Sequence, residues 1–163
     1  MSEQRLTIGM DAKRIVSNAT GLGSYGRTLA ADLAMRADLD LHLYAPDEGR
    51  PELRNQLGER ENLHYHFAGR HTSLGKALWR SHGIVSQLRR DGIQVYHGLS
   101  GELPRGISRS GIRSVVTIHD LIFMRHPEYY HRADVSIYTR KFRQALREAD
   151  CIVAISECTR RDI

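Results

Sequence analysis

Thr117, His119 and Asp120 stand where the apolar run of Val115, Val116 and Ile118 ends, and no other residues of this chain are better equipped for chemistry. An imidazole beside a carboxylate at the carboxyl end of a buried strand lies where an open parallel sheet collects its ligands. Such a ring gives or takes a proton near neutral pH, and the carboxylate either orients it or has a task of its own. The plainer arrangement is a histidine hydrogen-bonded inside the structure and an aspartate capping a turn. His97, followed by Gly98 and Ser100, holds the equivalent place on a neighbouring strand, where a structural histidine is equally consistent.

A second constellation is the loop Gly21-Leu22-Gly23-Ser24-Tyr25-Gly26, which matches G-x-G-x-x-G letter for letter. Glycines let a phosphate approach bare main chain, and the helix start that follows attracts its charge. A turn that merely starts a helix has the same composition. For a dinucleotide the fit is poor: Ala12 to Thr20 separate the first strand from the first glycine, and only Asp47, just past Pro46, could hold a ribose. Nine histidines raise a metal hypothesis, but His64 and His66 share a strand face with no carboxylate nearby in sequence, and His126 and His131 fall in a polar loop. No metal site is expected on that basis. Arg140, Lys141, Arg143 and Arg147 make a basic helix face that could meet anionic lipid, although a solvated face is commoner. Lys76, Trp79 and Arg80 form a second, weaker candidate of the same kind.

These residues need a scaffold, and the pattern supplies one. Leu6–Met10 reads as a first strand, Leu39–Ala45 as a second ended by Pro46, and Leu63–Phe67 as a third, the last two by strict alternation. Ile93–His97, Arg113–Ile118 and Cys151–Ile155 complete a set of six. Between them lie a helix through Leu29 and Leu33, a short one near Leu53, one from Leu74 to Arg90 stopped by Asp91-Gly92, and one carrying Tyr138, Phe142, Ala145 and Ala149 on a single face. Gly98–Gly111 reads as a long loop. Ser156 has the character of an N-cap for a last helix. Strand alternating with helix predicts an α/β fold, a doubly wound, mostly parallel sheet between two helical layers.

The 163 residues suit one domain, able to bury roughly 70% of its unfolded surface. Hydrophobic content of 40% and charged content of 26% are those of a globular protein, with no apolar run of membrane-spanning length and no signal-peptide core. Two cysteines without metal or redox spacing fit a reducing compartment, so a cytoplasmic protein is expected. The net charge of +5 fits an acidic partner of any kind, while 7% aromatic content and the lack of a recognition motif argue against nucleic acid.

With these residues in view, the chain resembles the N-terminal domain of family 4 nucleotide-sugar glycosyltransferases, enzymes of the two-domain GT-B fold that retain anomeric configuration. It is most similar to the bacterial mannosyltransferase branch of polysaccharide biosynthesis. The likeness is carried by Ile8–Arg14, Thr20–Tyr25, Thr117–Ile122 with Pro127–Tyr130, and Ala149–Ser156 with Thr159–Ile163, in the family's order. It implies that Gly21, Leu22, Gly23 and Ser24 face the donor diphosphate, and that His119 contacts the transferred sugar, with Asp120 as its neighbour. By the same resemblance the loop from Gly98 to Pro104 borders a saccharide or lipid-linked acceptor, with Tyr25, His97, Gly98 and Ser100 as the acceptor-side candidates, and family members often work at an inner membrane surface, which the basic face of Arg140, Lys141 and Arg143 could meet. It further implies no cofactor and no metal, with the nucleotide-sugar as donor substrate. Residues 1–163 are then expected to be the acceptor-side half, slightly truncated, with the donor-binding C-terminal domain absent and the fragment inactive alone. The expected activity is hexosyl transfer, with mannose from GDP-mannose as the specific case. The alternatives are a dinucleotide-binding oxidoreductase domain and a peripheral membrane or interaction module.

Overall fold

A computed structural model of the protein describes residues 5–69 and 72–163. Six strands, Leu6–Asp11 (β1), Leu39–Ala45 (β2), Leu63–Phe67 (β3), Val95–Gly98 (β4), Arg113–Ile118 (β5) and Cys151–Ala154 (β6), form one sheet in the order β3-β2-β1-β4-β5-β6. Every pairing is parallel. The chain winds outward from β1 through β2 to β3, then crosses back and winds the other way. The order therefore reverses between β1 and β4, and a crevice opens beyond their carboxyl ends.

The helices are Lys13–Ser17 (α1), Gly21–Ala34 (α2), Pro51–Arg54 (α3), Ser73–Leu78 (α4), Ile84–Arg90 (α5), Ile122–Arg125 (α6), Arg132–Glu148 (α7) and Glu157–Asp162 (α8). On one face of the sheet α1 and α2 bury Ile15, Val16, Ala30 and Ala34 against Met10, Leu41 and Leu43. On the other, α5 and α7 bury Ile84, Leu88, Phe142 and Ala145 against Tyr96, Val116 and Ile118. The expected α/β three-layer, doubly wound sheet is thus present, with apolar side chains on both faces as a fully covered parallel sheet requires.

Two local features differ from expectation. The glycine-rich stretch is no loop: Gly21 to Gly26 lie within α2, entered from Thr20. The helix from Leu74 to Arg90 is interrupted by a π-helical segment at Trp79–Gly83, a wider turn that concentrates at functional sites. Ser156 caps α8 as anticipated, its hydroxyl accepting from the Thr159 N–H. None of the described helices is long and apolar enough to cross a membrane.

Candidate active site

His119 follows the last residue of β5, whose Val116, Thr117 and Ile118 are fully covered. Its Nε2–H donates to the Leu99 carbonyl at 2.8 Å. A carbonyl only accepts, so this bond sets the tautomer and leaves Nδ1 as the lone-pair nitrogen of the neutral ring. Tyr25 holds the ring edge-on, centroids 5.1 Å apart and planes at 89°. From the other side, Thr159 Oγ1 donates to the His119 carbonyl at 2.9 Å, tying α8 to the strand end. Asp120 does not orient the imidazole: its Oδ1 accepts from the Ile122 N–H at 3.1 Å and starts α6. The two neighbours have separate hydrogen-bonding roles.

Behind them Thr117 Oγ1 joins the Tyr25 hydroxyl at 3.2 Å to His97 Nε2 at 2.8 Å. His97 therefore sits beneath the cleft. Burial pushes its imidazole down from the ordinary value near 6.5 to about 4, so the ring is neutral in the folded protein. The unfolded chain binds this proton below pH 6.5 and the folded chain only near pH 4. The stabilisation is therefore complete above pH 6.5 and falls by about 3 kcal/mol as the pH drops toward 4. Urea midpoints measured across that range should fall steeply for the native protein and visibly less for His97→Gln.

The cleft itself has a volume of about 190 Å³. Arg14, Leu22, Ser100, Glu102, His119 and Lys141 line it, together with Asp120 and the rings of Tyr130 and Tyr138. Leu22, Ser100, His119 and Asp120, named from sequence, are thus brought together. Gly21, Gly23 and Ser24 are not at its wall, and neither are Tyr25, His97 and Gly98. Gly23 is enclosed by backbone: a Cβ there would collide with the Asn18 carbonyl and lie 2.8 Å from the Arg14 oxygen. Its N–H and that of Ser24 are already bonded, to Asn18 Oδ1 and the Thr20 carbonyl. The close approach that glycine permits here is of α1 to α2. Gly98 is likewise a packing glycine, pressed against the Glu102 carbonyl.

The basic helix face also divides. Lys141 Nζ reaches Glu102 Oε1 at 2.9 Å on the cleft side, while Arg140, Arg143 and Arg147 flank a shallow groove outside. Arg80 is no surface residue. It reaches from the π-helical segment to Asp11 at 2.8 Å and Glu102 at 2.9 Å, leaving its side chain 16% exposed. The chain Asp11, Arg80, Glu102, Lys141 forms the floor between the cleft and an adjoining cavity of about 290 Å³. Sequence reading missed this network and Arg14, because nothing local marks which charges an open α/β sheet gathers at its switch point.

These features define a doubly wound α/β domain whose cleft lies beyond the strand ends and carries a cation, a helix start and an imposed histidine tautomer. The family model described as Glycosyltransferase Family 4 matches residues 19–163, nearly the whole chain, and the chain belongs to that family. It is a glycosyltransferase domain. A comparison with curated proteins gives no match.

Proposed function

We propose that this domain forms the acceptor side of a retaining hexosyltransferase that uses a nucleotide-sugar, with GDP-mannose the first donor to try. The observation that supports this reading is the convergence of Arg14, the start of α2 at Leu22 and His119 on one cleft. Among the described residues Arg14 has no carboxylate partner, so its charge is available to a diphosphate, and the N–H groups of Gly21 and Leu22 add the partial positive charge of a helix start. The packing of Gly23 against α1 limits the anion contact to Arg14 and the helix start at Leu22. A dinucleotide reading has no such support, since α1 separates β1 from the glycines and Asp47 is paired with Lys76.

His119, held by Leu99, presents its remaining ring nitrogen as an acceptor for a hydroxyl of the transferred sugar. Ser100, Tyr130 and Tyr138 offer the hydrogen-bonding and stacking groups that a saccharide acceptor requires, and Arg140 and Arg143 lie on the outer surface where an anionic lipid carrier would be met. The acceptor hydroxyl bonds to the anomeric carbon as the carbon–oxygen bond to the diphosphate breaks, and the departing phosphate takes the hydroxyl proton. Nothing in this step asks Asp120 for a proton.

Transfer from a panel of nucleotide-sugars, by an enzyme that carries this domain together with a donor-binding domain, tests the reading. His119→Ala should lower transfer by about 10²-fold or more through lost positioning and charge stabilisation. Arg14→Ala should weaken the donor preferentially, raising its KM. Unchanged transfer in both variants would remove the cleft from the reaction.

A further inference from the structure

The second concentration of chemistry lies at the far edge of the sheet. Parallel pairing sets His42 opposite His64 and Tyr44 opposite His66, and Asp40, two residues before His42, shares their face. Alternation thus places one carboxylate and three imidazoles side by side on β2 and the edge strand β3, away from the cleft. The carboxylate missing near His64 in the sequence is supplied by the neighbouring strand. Asp40 Oδ1 lies 2.8 Å from His64 Nε2, and Asp40 Oδ2 lies 3.4 Å from His42 Nε2. His42 Nδ1 lies 2.8 Å from His66 Nε2, and His66 Nδ1 faces Asp91 Oδ2 at 3.7 Å.

Counting hydrogens shows what this arrangement lacks. Three contacts lie within hydrogen-bond reach, from His64 to Asp40, Asp40 to His42 and His42 to His66, and each joins lone-pair atoms that repel unless a positive centre lies between them; His66 and Asp91 face each other from beyond that reach. A neutral imidazole carries one N–H. Three neutral rings therefore serve the three contacts and leave one ring nitrogen facing a carboxylate with its bare lone pair, a place that a cation would fill favourably.

We propose that Asp40, His42 and His64 form a binding site for a single divalent transition-metal ion of the zinc class. Two imidazole nitrogens and one carboxylate oxygen, with water in the fourth position, are a ligand set that zinc accepts. The three ligand atoms already lie within 4.8 Å of one another. In a tetrahedron with bonds of about 2.05 Å neighbouring ligands stand roughly 3.3 Å apart, close to the Asp40–His42 separation. The ion also removes the facing of a bare lone pair on a carboxylate. With Nε2 of His42 and His64 on the metal, His42 Nδ1–H donates to His66, and His66 Nδ1–H points at Asp91, whose Oδ2 also accepts the Tyr44 hydroxyl at 2.7 Å. This is the carboxylate–histidine outer shell that orients metal-bound imidazoles. His64 is 42% exposed, which gives the ion and its water a route from solvent. The ion would cross-link β2 to the edge strand β3, a structural role independent of sugar transfer.

The test is titration of the metal-depleted, tag-free chain with Zn²⁺ by calorimetry and with Co²⁺ by visible absorption. One equivalent should bind, Co²⁺ should give the intense bands of a tetrahedral site, and saturating Zn²⁺ should raise the Tm by mass action. His64→Ala and the isosteric Asp40→Asn, compared with the native chain by metal-free unfolding, should weaken binding more than ~100-fold, and His66→Ala by about 10- to 100-fold. His126→Ala, in a distant exposed loop, should leave it unchanged. If no metal binds, the cluster takes only a proton and the proposal fails. Binding that survives in His64→Ala and Asp40→Asn also overturns it, because other histidines then hold the ion.

Discussion

Gly23→Ala is expected to destabilise the protein by about 3 kcal/mol or more, whereas Gly21→Ala, two residues away, should be neutral or stabilising by up to about 1 kcal/mol. Both are glycines of the same motif and both are helical, so propensity alone favours alanine at each. Space decides the outcome. A methyl group added at Gly21, in the open helix start, would meet none of the described residues within 4 Å, but at Gly23 it would strike the Asn18 carbonyl and come within 2.8 Å of the Arg14 oxygen. Those are backbone atoms at the end of α1, held by Val16, Ile15 and the Arg27 guanidinium, which donates to the Ile15 and Asn18 carbonyls. They yield only if α2 moves off α1, and both helices bury apolar residues in one core. A Tm lowered by roughly 6–12 °C in Gly23→Ala is the expected reading for a chain of this size. Equal stability of the two variants would return Gly23 to the role of a phosphate-approach residue.

The same motif shows where sequence reading stopped. β2, β3 and β5 have the boundaries that alternation and apolar runs predict, because their patterns are local and long enough to stand out. Helix α1 is five residues, too short for a 3.6-residue period to emerge, so the segment before the glycines reads as polar coil and the glycines after it as a loop. Letter matching cannot distinguish a glycine that admits a ligand from one that admits another helix. His119 was legible because a strand end is a place defined by one segment. The partner of its ring, Leu99, was not, since it comes from the end of β4 and depends on the pairing of β4 with β5. Asp40 beside His64 and Arg80 beside Asp11 were hidden for that reason too: register and crossover bring them together, and neither leaves a trace within a window of sequence.

Arg80→Met should cost more than any of the other substitutions, about 3–5 kcal/mol, because it strands a carboxylate that is 5% exposed. Burial alone would raise the Asp11 carboxyl. The Arg80 charge and hydrogen bond, with the Lys13 N–H, outweigh burial and hold it below its ordinary value. In the native protein the resulting stability is present above the unfolded value near 3.8 and is lost as the pH falls through the lower folded value. Removing Arg80 reverses the sign. Burial then dominates, the folded carboxyl lies above its unfolded value, and the variant becomes relatively more stable as acid protonates Asp11. The difference in unfolding free energy between native and Arg80→Met should therefore shrink as the pH is lowered from 7 toward 4. Asp11→Asn in the Arg80→Met background should recover part of the loss at neutral pH, since an amide carries no charge to desolvate. A difference that is constant with pH would mean that Arg80 acts through packing of its alkyl chain, and that the floor of the cleft is not held together by charge.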